Sequence, residues 1–325
     1  MRPIVLPPNS VPRFYRGGAA IAALRGIEIP AERAPEEWVG STTTVFGEQE
    51  LGLSRLADGR VLRDAMAADP VAFLGPDRGA DPRLLVKLLD AGERLPVHVH
   101  PDGAFARELL GSPYGKTEAW IVIATTGPTA TMHVGFRDEV SADTLERWVR
   151  DQDAAAMLDA LNVVEVGEDD VLFVPAGTPH AIGAGVLIVE VQEPSDLSIL
   201  LEWRGFANGE DEASLGLGLD VALRCVDRSA TDPDRLRGHH LPADADKFFR
   251  AEWVNASPLA ELGRGFAILV FTGGAGELHS EDGDALPVGQ GDALLVPWSA
   301  GLCRLEGEAV AVACRPPAAD AGAPV

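Results

Sequence analysis

Four side chains in this sequence are of the types that ligate divalent first-row metals and lie where the chain can bring them together: His98, His100, Glu118 and His180. His98 and His100 are two apart in the apolar, β-leaning run LPVHVHPD. On a strand, residues i and i+2 point to the same face, so both rings can reach one ion. Glu118 follows in GKTEAW and His180 in VPAGTPHAIG, each beside glycine-bearing turns and apolar strand runs. Three imidazoles and one carboxylate favour zinc by ligand type, while Mn, Fe and Co take the same set. A lone histidine on an apolar face is ordinarily a satisfied core residue. Here, however, the chain has only seven histidines, and two of them share a strand face. Lys116 stands two before Glu118. If both lie on one strand, the ammonium faces the same interior, where it needs a partner and could hold a substrate oxygen or phosphate.

The motifs HPD, GKTE and PAGTPHAIG come with LLVKLLDAGERL upstream, the GG of YRGGAA and VLIVEVQEPSD downstream. Together they resemble the type I mannose-6-phosphate isomerases of the cupin superfamily, from about Gly17 to Asp196. The resemblance implies metal ligation by His98, His100, Glu118 and His180, and a sugar- and phosphate-contacting role for Lys116. It also implies that Asp196 lines the active site and takes part in proton transfer; the reading from residues alone is a turn-forming Asp after Pro194. A catalytic arginine is implied too. Its place is taken here by Leu200, and Arg204 in LSILLEWRGF looks like that arginine displaced by four residues, against the plainer reading of a surface Arg. Three further departures stand out: His98 where the family has Gln, Pro96 where it has a phosphate-contacting Ser, and Gly115 where it has His.

These residues need a β framework to hold them. Many short apolar runs separated by Gly and Asp turns predict a mainly β chain made of cupin jelly rolls (double-stranded β-helix domains), two of them, with a small helical insert. VGEDDVLFVPAG and VGQGDALLVPWSAG form an internal repeat, Gly167–Pro175 against Gly289–Pro297, and the second copy lacks the histidine. The expected division is 1–237 as the metal-binding domain and 238–325 as a ligand-less second one. The helical insert falls at about 138–162 with Ser141 as a cap, and a linker helix at about 214–226. Residues 60–74 read as two short helices meeting at Pro70, and Asp102 as the N-cap of another. EEWVGSTTTVFG has strand chemistry. Glu190 and Gln192 share a strand face whose direction the sequence leaves open.

The net charge of −23 argues against nucleic acid and anionic membrane surfaces as partners. It also disfavours anionic substrates at long range, so a sugar phosphate would need a local basic pocket. Cys225, Cys303 and Cys314 are widely spaced, which fits reduced thiols and a cytoplasmic setting. No stretch reads as a signal peptide or a membrane span of roughly 20 apolar residues.

The leading expectation is a metal-dependent aldose–ketose isomerase, converting mannose 6-phosphate to fructose 6-phosphate through an enediol. Asp196, Lys116 and Arg204 are its catalytic candidates, with Lys116 and Arg204 also binding substrate. The partner would be a small sugar or sugar phosphate, and the protein a monomer or small homo-oligomer. The alternatives are an isomerase of another aldose, a non-catalytic sugar-binding cupin, and an Fe or Mn cupin oxygenase.

Overall fold

A computed structural model describes residues 1–28 and 33–318. The chain is mainly β, built from two pairs of antiparallel sheets. The first pair joins a seven-stranded sheet to a five-stranded one, and the second pair a five-stranded sheet to a four-stranded one.

Alternation along the strands explains the layers. In Leu85–Ala91, Val86 and Leu88 face one way while Leu89 and Ala91 face the other. Glu118–Thr125 behaves alike: Trp120 and Val122 point between the two sheets of the first pair, Ala119 and Ile121 to the opposite side. Met132, Val134 and Ile182 of the five-stranded sheet complete that interior. The second pair encloses its own core around Leu269, Phe271, Leu278 and Leu305.

The two halves are not separate bodies. The outer face of the seven-stranded sheet, with Val86, Ile121, Phe173 and Val189, packs against Ile268, Val270, Leu295 and Val312 of the second half. The N-terminal strand Ile4–Val5 pairs with Ala293–Val296, so the first residues of the chain belong to the second half's sheet. A sheet buried on both faces explains the near-continuous apolar runs seen in the sequence.

The two helices Ala142–Asp151 and Ala154–Ala160 form the insert, and Ser141 accepts the first from the N–H of Thr144. They bury Leu145, Val149 and Met157 against Val97, Val99 and Ile199 of the five-stranded sheet. The strand chemistry of EEWVGSTTTVFG yields a strand only at Glu36–Val39, because Gly40 turns the chain at φ 59°. The helix expected over 214–226 begins only at Leu219 and passes into a 3-10 turn at Leu223–Cys225. Gly216 and Gly218, at φ 77° and 72°, take backbone conformations that a right-handed helix excludes. The repeat is visible in its turns. The N–H of Gly167 donates to Asp170 at 2.8 Å, and that of Gly289 to Asp292 at 2.8 Å.

Candidate metal centre and adjoining cavities

His98 lies on the two-residue strand His98–Val99, between Leu200 on one side and His180 on the other. His180 opens the strand His180–Ile182, after the turn at Gly177, whose N–H donates to the carbonyl of His100 at 2.8 Å. Three imidazoles thus meet on one sheet, and their ligating atoms all lie within 4.8 Å of one another. Glu118 reaches them from the facing seven-stranded sheet. One oxygen is 3.2 Å from His100 Nε2 and the other 3.3 Å from His180 Nε2.

The histidines share one arrangement. Nδ1 of His98, His100 and His180 lies 2.8 Å from the carbonyl of Pro96, Leu197 and Thr178 respectively. A carbonyl only accepts, so each Nδ1 carries the proton and each Nε2 offers a lone pair toward the cluster. Burial, then neighbouring His180 and His100, push His98 well below its ordinary value. Burial and Lys116 push His100 down to about 3. The His100–Glu118 contact is therefore between a neutral ring and a carboxylate. Against the cost of burial, Lys116 holds Glu118 well below the usual carboxylate range. Glu118 Oε2 and His180 Nε2 are buried without a hydrogen-bond partner. Neutral imidazoles, an ionised carboxylate and orphaned lone pairs are the state a divalent cation requires of its ligands, so this donor set fits one. Trp120, fully buried, donates to Glu118 Oε1 at 3.1 Å and fixes its carboxylate.

Lys116 lies on the same side as Glu118, with Nζ 3.2 Å from Glu118 and 3.1 Å from His100 Nε2. Its segment is held by Lys116 N–H to Pro101 at 3.0 Å and by Thr117 N–H to Glu193 at 2.8 Å. Gly115 must be glycine here. A Cβ would come within 2.6 Å of the backbone at Asp102 and Gly103, so the family's histidine has no room.

Beside the cluster is a narrow cavity of about 30 Å³, bounded by His98, Lys116, Glu118 and Glu190. A wider one of about 470 Å³ adjoins it and reaches Asp196. Both are lined by Arg13, Phe14, Ser198 and Leu200. Glu190 therefore faces inward, which the sequence left open. Burial raises its carboxyl, opposed by Lys87.

Arg13 is the residue that sequence reasoning passed over. Its guanidinium holds both oxygens of Asp196, at 3.0 and 3.2 Å, and lies 3.3 Å from Glu36. Burial works against its charge, but Asp196 and Glu36 outweigh it and raise its pKa. Glu36 in turn meets Lys87 at 3.5 Å, and Lys87 meets Glu190 at 3.2 Å. The only signal was an Arg in a Pro-punctuated N-terminal stretch close to the GG of YRGGAA.

Arg204 is placed elsewhere. It is exposed and lines neither cavity. Gln152 Oε1 accepts the N–H groups of Trp203 and Arg204, each at 2.7 Å, and ties this segment to the helical insert. Asp196 is buried at the wider cavity, with one oxygen also accepting Phe46 N–H at 3.2 Å.

No family model matches the chain. A mannose-6-phosphate isomerase of Streptococcus mutans is 32% identical over 183 residues, 55% of this chain and 54% of that protein. ManA, a mannose-6-phosphate isomerase of Bacillus subtilis, is 28% identical over 310 residues, 90% of this chain and 92% of that one. Two of the curated relatives are matched over only 59% and 54% of their own length. The crystal structure of the mannose 6-phosphate isomerase from Bacillus subtilis superposes with a TM-score of 0.79 at 23% identity, over 97% of this chain and 100% of that one. That of a mannose 6-phosphate isomerase bound with zinc and yttrium gives 0.73 at 16% identity, over 97% and 100%. The shared fold is the cupin fold expected from the motifs. In motifs, sequence and fold, the chain resembles the type I mannose-6-phosphate isomerases.

Proposed function

We propose that this protein is a metal-dependent aldose–ketose isomerase that interconverts mannose 6-phosphate and fructose 6-phosphate. The observation that carries this reading is the cluster His98, His100, Glu118 and His180 with Lys116 against it, its His98, Glu118 and Lys116 lining the narrow cavity that Arg13 also lines. The names of the similar proteins support the substrate class. Those four residues would hold the ion, with zinc favoured by ligand type; when bound, it supplies Lewis-acid stabilisation of charge on the sugar oxygens.

The rest of the chemistry falls to the chain's own groups. Isomerisation removes the proton at C2 and returns one at C1, while the hydroxyl proton moves from O2 to O1. A carboxyl raised above its ordinary range suits that shuttle. Glu190 has its carboxyl raised by burial and lies at the narrow cavity beside Lys116, 3.9 Å away. Asp196 keeps the proton-transfer role open at the wider cavity, but both its oxygens are engaged by Arg13, which makes it the anchor of that guanidinium. Lys116 and Arg13 are the cations available to substrate oxygens and phosphate. Arg13 takes the part assigned from sequence to Arg204. We assign the site to residues 1–237 and a ligand-less supporting role to 238–318, joined through the shared core. The unpaired thiols of Cys225, Cys303 and Cys314 favour the cytoplasmic setting.

The test is a paired assay of zinc-loaded protein on mannose 6-phosphate and on free mannose, with ketose formation followed by NMR. Turnover of the phosphorylated sugar is expected. A metal-replete protein that isomerises no aldose would overturn the reading.

A further inference from the structure

Between the segment 74–78 and the second half, and sharing no residue with the histidine cluster, lies a cavity of about 460 Å³ whose walls carry Arg78, Arg250, Arg264, Arg315 and Trp298. It faces four guanidinium groups against two carboxylates, Asp77 and Glu252. The chain as a whole carries 50 acidic and 27 basic residues, so this is a local reversal of its field.

Two of the four arginines, Arg78 and Arg250, are held by backbone carbonyls and not by acids. Arg78 donates to the carbonyl of Pro317 at 2.5 Å and Arg250 to that of Pro316 at 3.1 Å. Neither forms an ion pair among the described residues. Arg315 donates to the carbonyl of Gly263 at 3.3 Å, and its approach to Glu252 is only 3.9 Å, where that carboxylate is largely exposed. Arg264 alone has a close carboxylate, Glu281, on the outside, and it lies 4.9 Å over the ring of Trp298. Backbone carbonyls fix Arg78, Arg250 and Arg315 in place without neutralising them. Burial, then Arg250 and Arg83, lower Arg78; burial also lowers Arg315, where Glu252 opposes and Arg250 adds. Like charges gathered in a concave site repel one another unless an anion offsets them.

The wall is also closely fitted. Gly75 has φ 92°, and a Cβ there would come within 2.8 Å of the Trp298 ring. Gly265, at φ 152°, leaves 3.2 Å between such a Cβ and Arg315 Nη1. The volume suits a small metabolite rather than a lone halide. Several guanidinium groups turned to one space favour the tetrahedral oxyanion of a phosphate over a carboxylate, because they donate several fixed N–H groups at once.

We propose that this cavity is a second anion site that binds a small phosphomonoester, independently of the metal centre. Inorganic phosphate is the minimal probe, and glucose 1-phosphate tests whether an attached polar body improves the fit.

The experiment is isothermal titration of the metal-replete full chain with each probe at constant ionic strength, repeated on the Lys116→Ala variant to remove one of the two cations, with Arg13, that the catalytic cavity offers. Saturable 1:1 binding that survives Lys116→Ala is expected. It should weaken at least about tenfold in the pair Arg78→Gln/Arg250→Gln and recover only in part in the pair Arg78→Lys/Arg250→Lys, which keeps the charges but not the guanidinium forks. Arg264→Gln, on the exposed rim, should weaken it without affecting the fold. Binding left intact by the glutamine pair and by Arg264→Gln, binding lost with Lys116→Ala, or no phosphate response beyond that of chloride would each overturn the proposal.

Discussion

Arg13 and Asp196, separated by 183 residues, close on each other through two hydrogen bonds of 3.0 and 3.2 Å at the wall of the wider cavity. Ion pairs lead inward from there: Arg13 to Glu36, Glu36 to Lys87, Lys87 to Glu190, and Glu190 to Lys116 at 3.9 Å beside Glu118. Every member but the partly exposed Arg13 is buried, so its charge depends on its neighbours.

Arg13→Gln should therefore lower kcat/KM for mannose 6-phosphate by about 2–5 kcal/mol, at least about thirtyfold, because it removes a substrate cation and strands Asp196. Metal content should remain at one per chain, read by elemental mass spectrometry. Arg204→Ala, exposed and outside both cavities, should change stability by no more than about 0.5 kcal/mol and activity by about twofold at most.

Trp120→Phe keeps the core volume close to native but deletes the donor to Glu118. A partner of this kind is worth about 10–100-fold in metal affinity. The loss should show in competition with a chromophoric chelator, and His180→Ala should exceed it.

Metal-free protein should lose stability as pH falls through 6.5. His98 and His100 have folded pKa values below the ordinary 6.5, so the unfolded chain binds protons first and is favoured on acidification. Each group contributes a slope of up to about 1.4 kcal/mol per pH unit below 6.5. Urea midpoints of chelator-treated protein from pH 8 to pH 5 measure this, and His98→Gln should reduce the slope.

Glu36 behaves in the same sense at lower pH. Burial would raise its carboxyl, but Lys87 and Arg13 bring it to about 2, against 4.5 unfolded. Its contribution is full above about pH 4.5 and is lost as pH falls toward 2. Glu36→Gln should flatten that acid limb of the stability profile.

Gly115→Ala tests the departure from the family's histidine. With backbone 2.6 Å from the new Cβ, overpacking should cost about 1–3 kcal/mol in urea unfolding. It should also displace Lys116, raising KM before metal is lost.

The sequence by itself determined the candidate ligand set and the layer that carries it. HVH on an apolar run, GKTE and PAGTPH are local patterns, and the period-two alternation of strands decides which side chains share a face. The caps at Asp102 and Ser141 and the two turns of the repeat were legible for the same reason, since an Asp or Ser side chain bonding its own backbone is a contact of two or three residues. Elements whose length depends on glycine torsions, such as the segment over 214–226, were read too long. Only the tertiary structure decided which arginine meets the cavity. Arg13 and Asp196 meet because the N-terminal stretch crosses the sheet to them, while Gln152 holds Arg204 outside. The inward face of Glu190 and the gathering of Arg78, Arg250, Arg264 and Arg315 in one cavity are likewise products of packing. Contacts between residues far apart in the chain follow from which faces are buried together, and no local pattern encodes them.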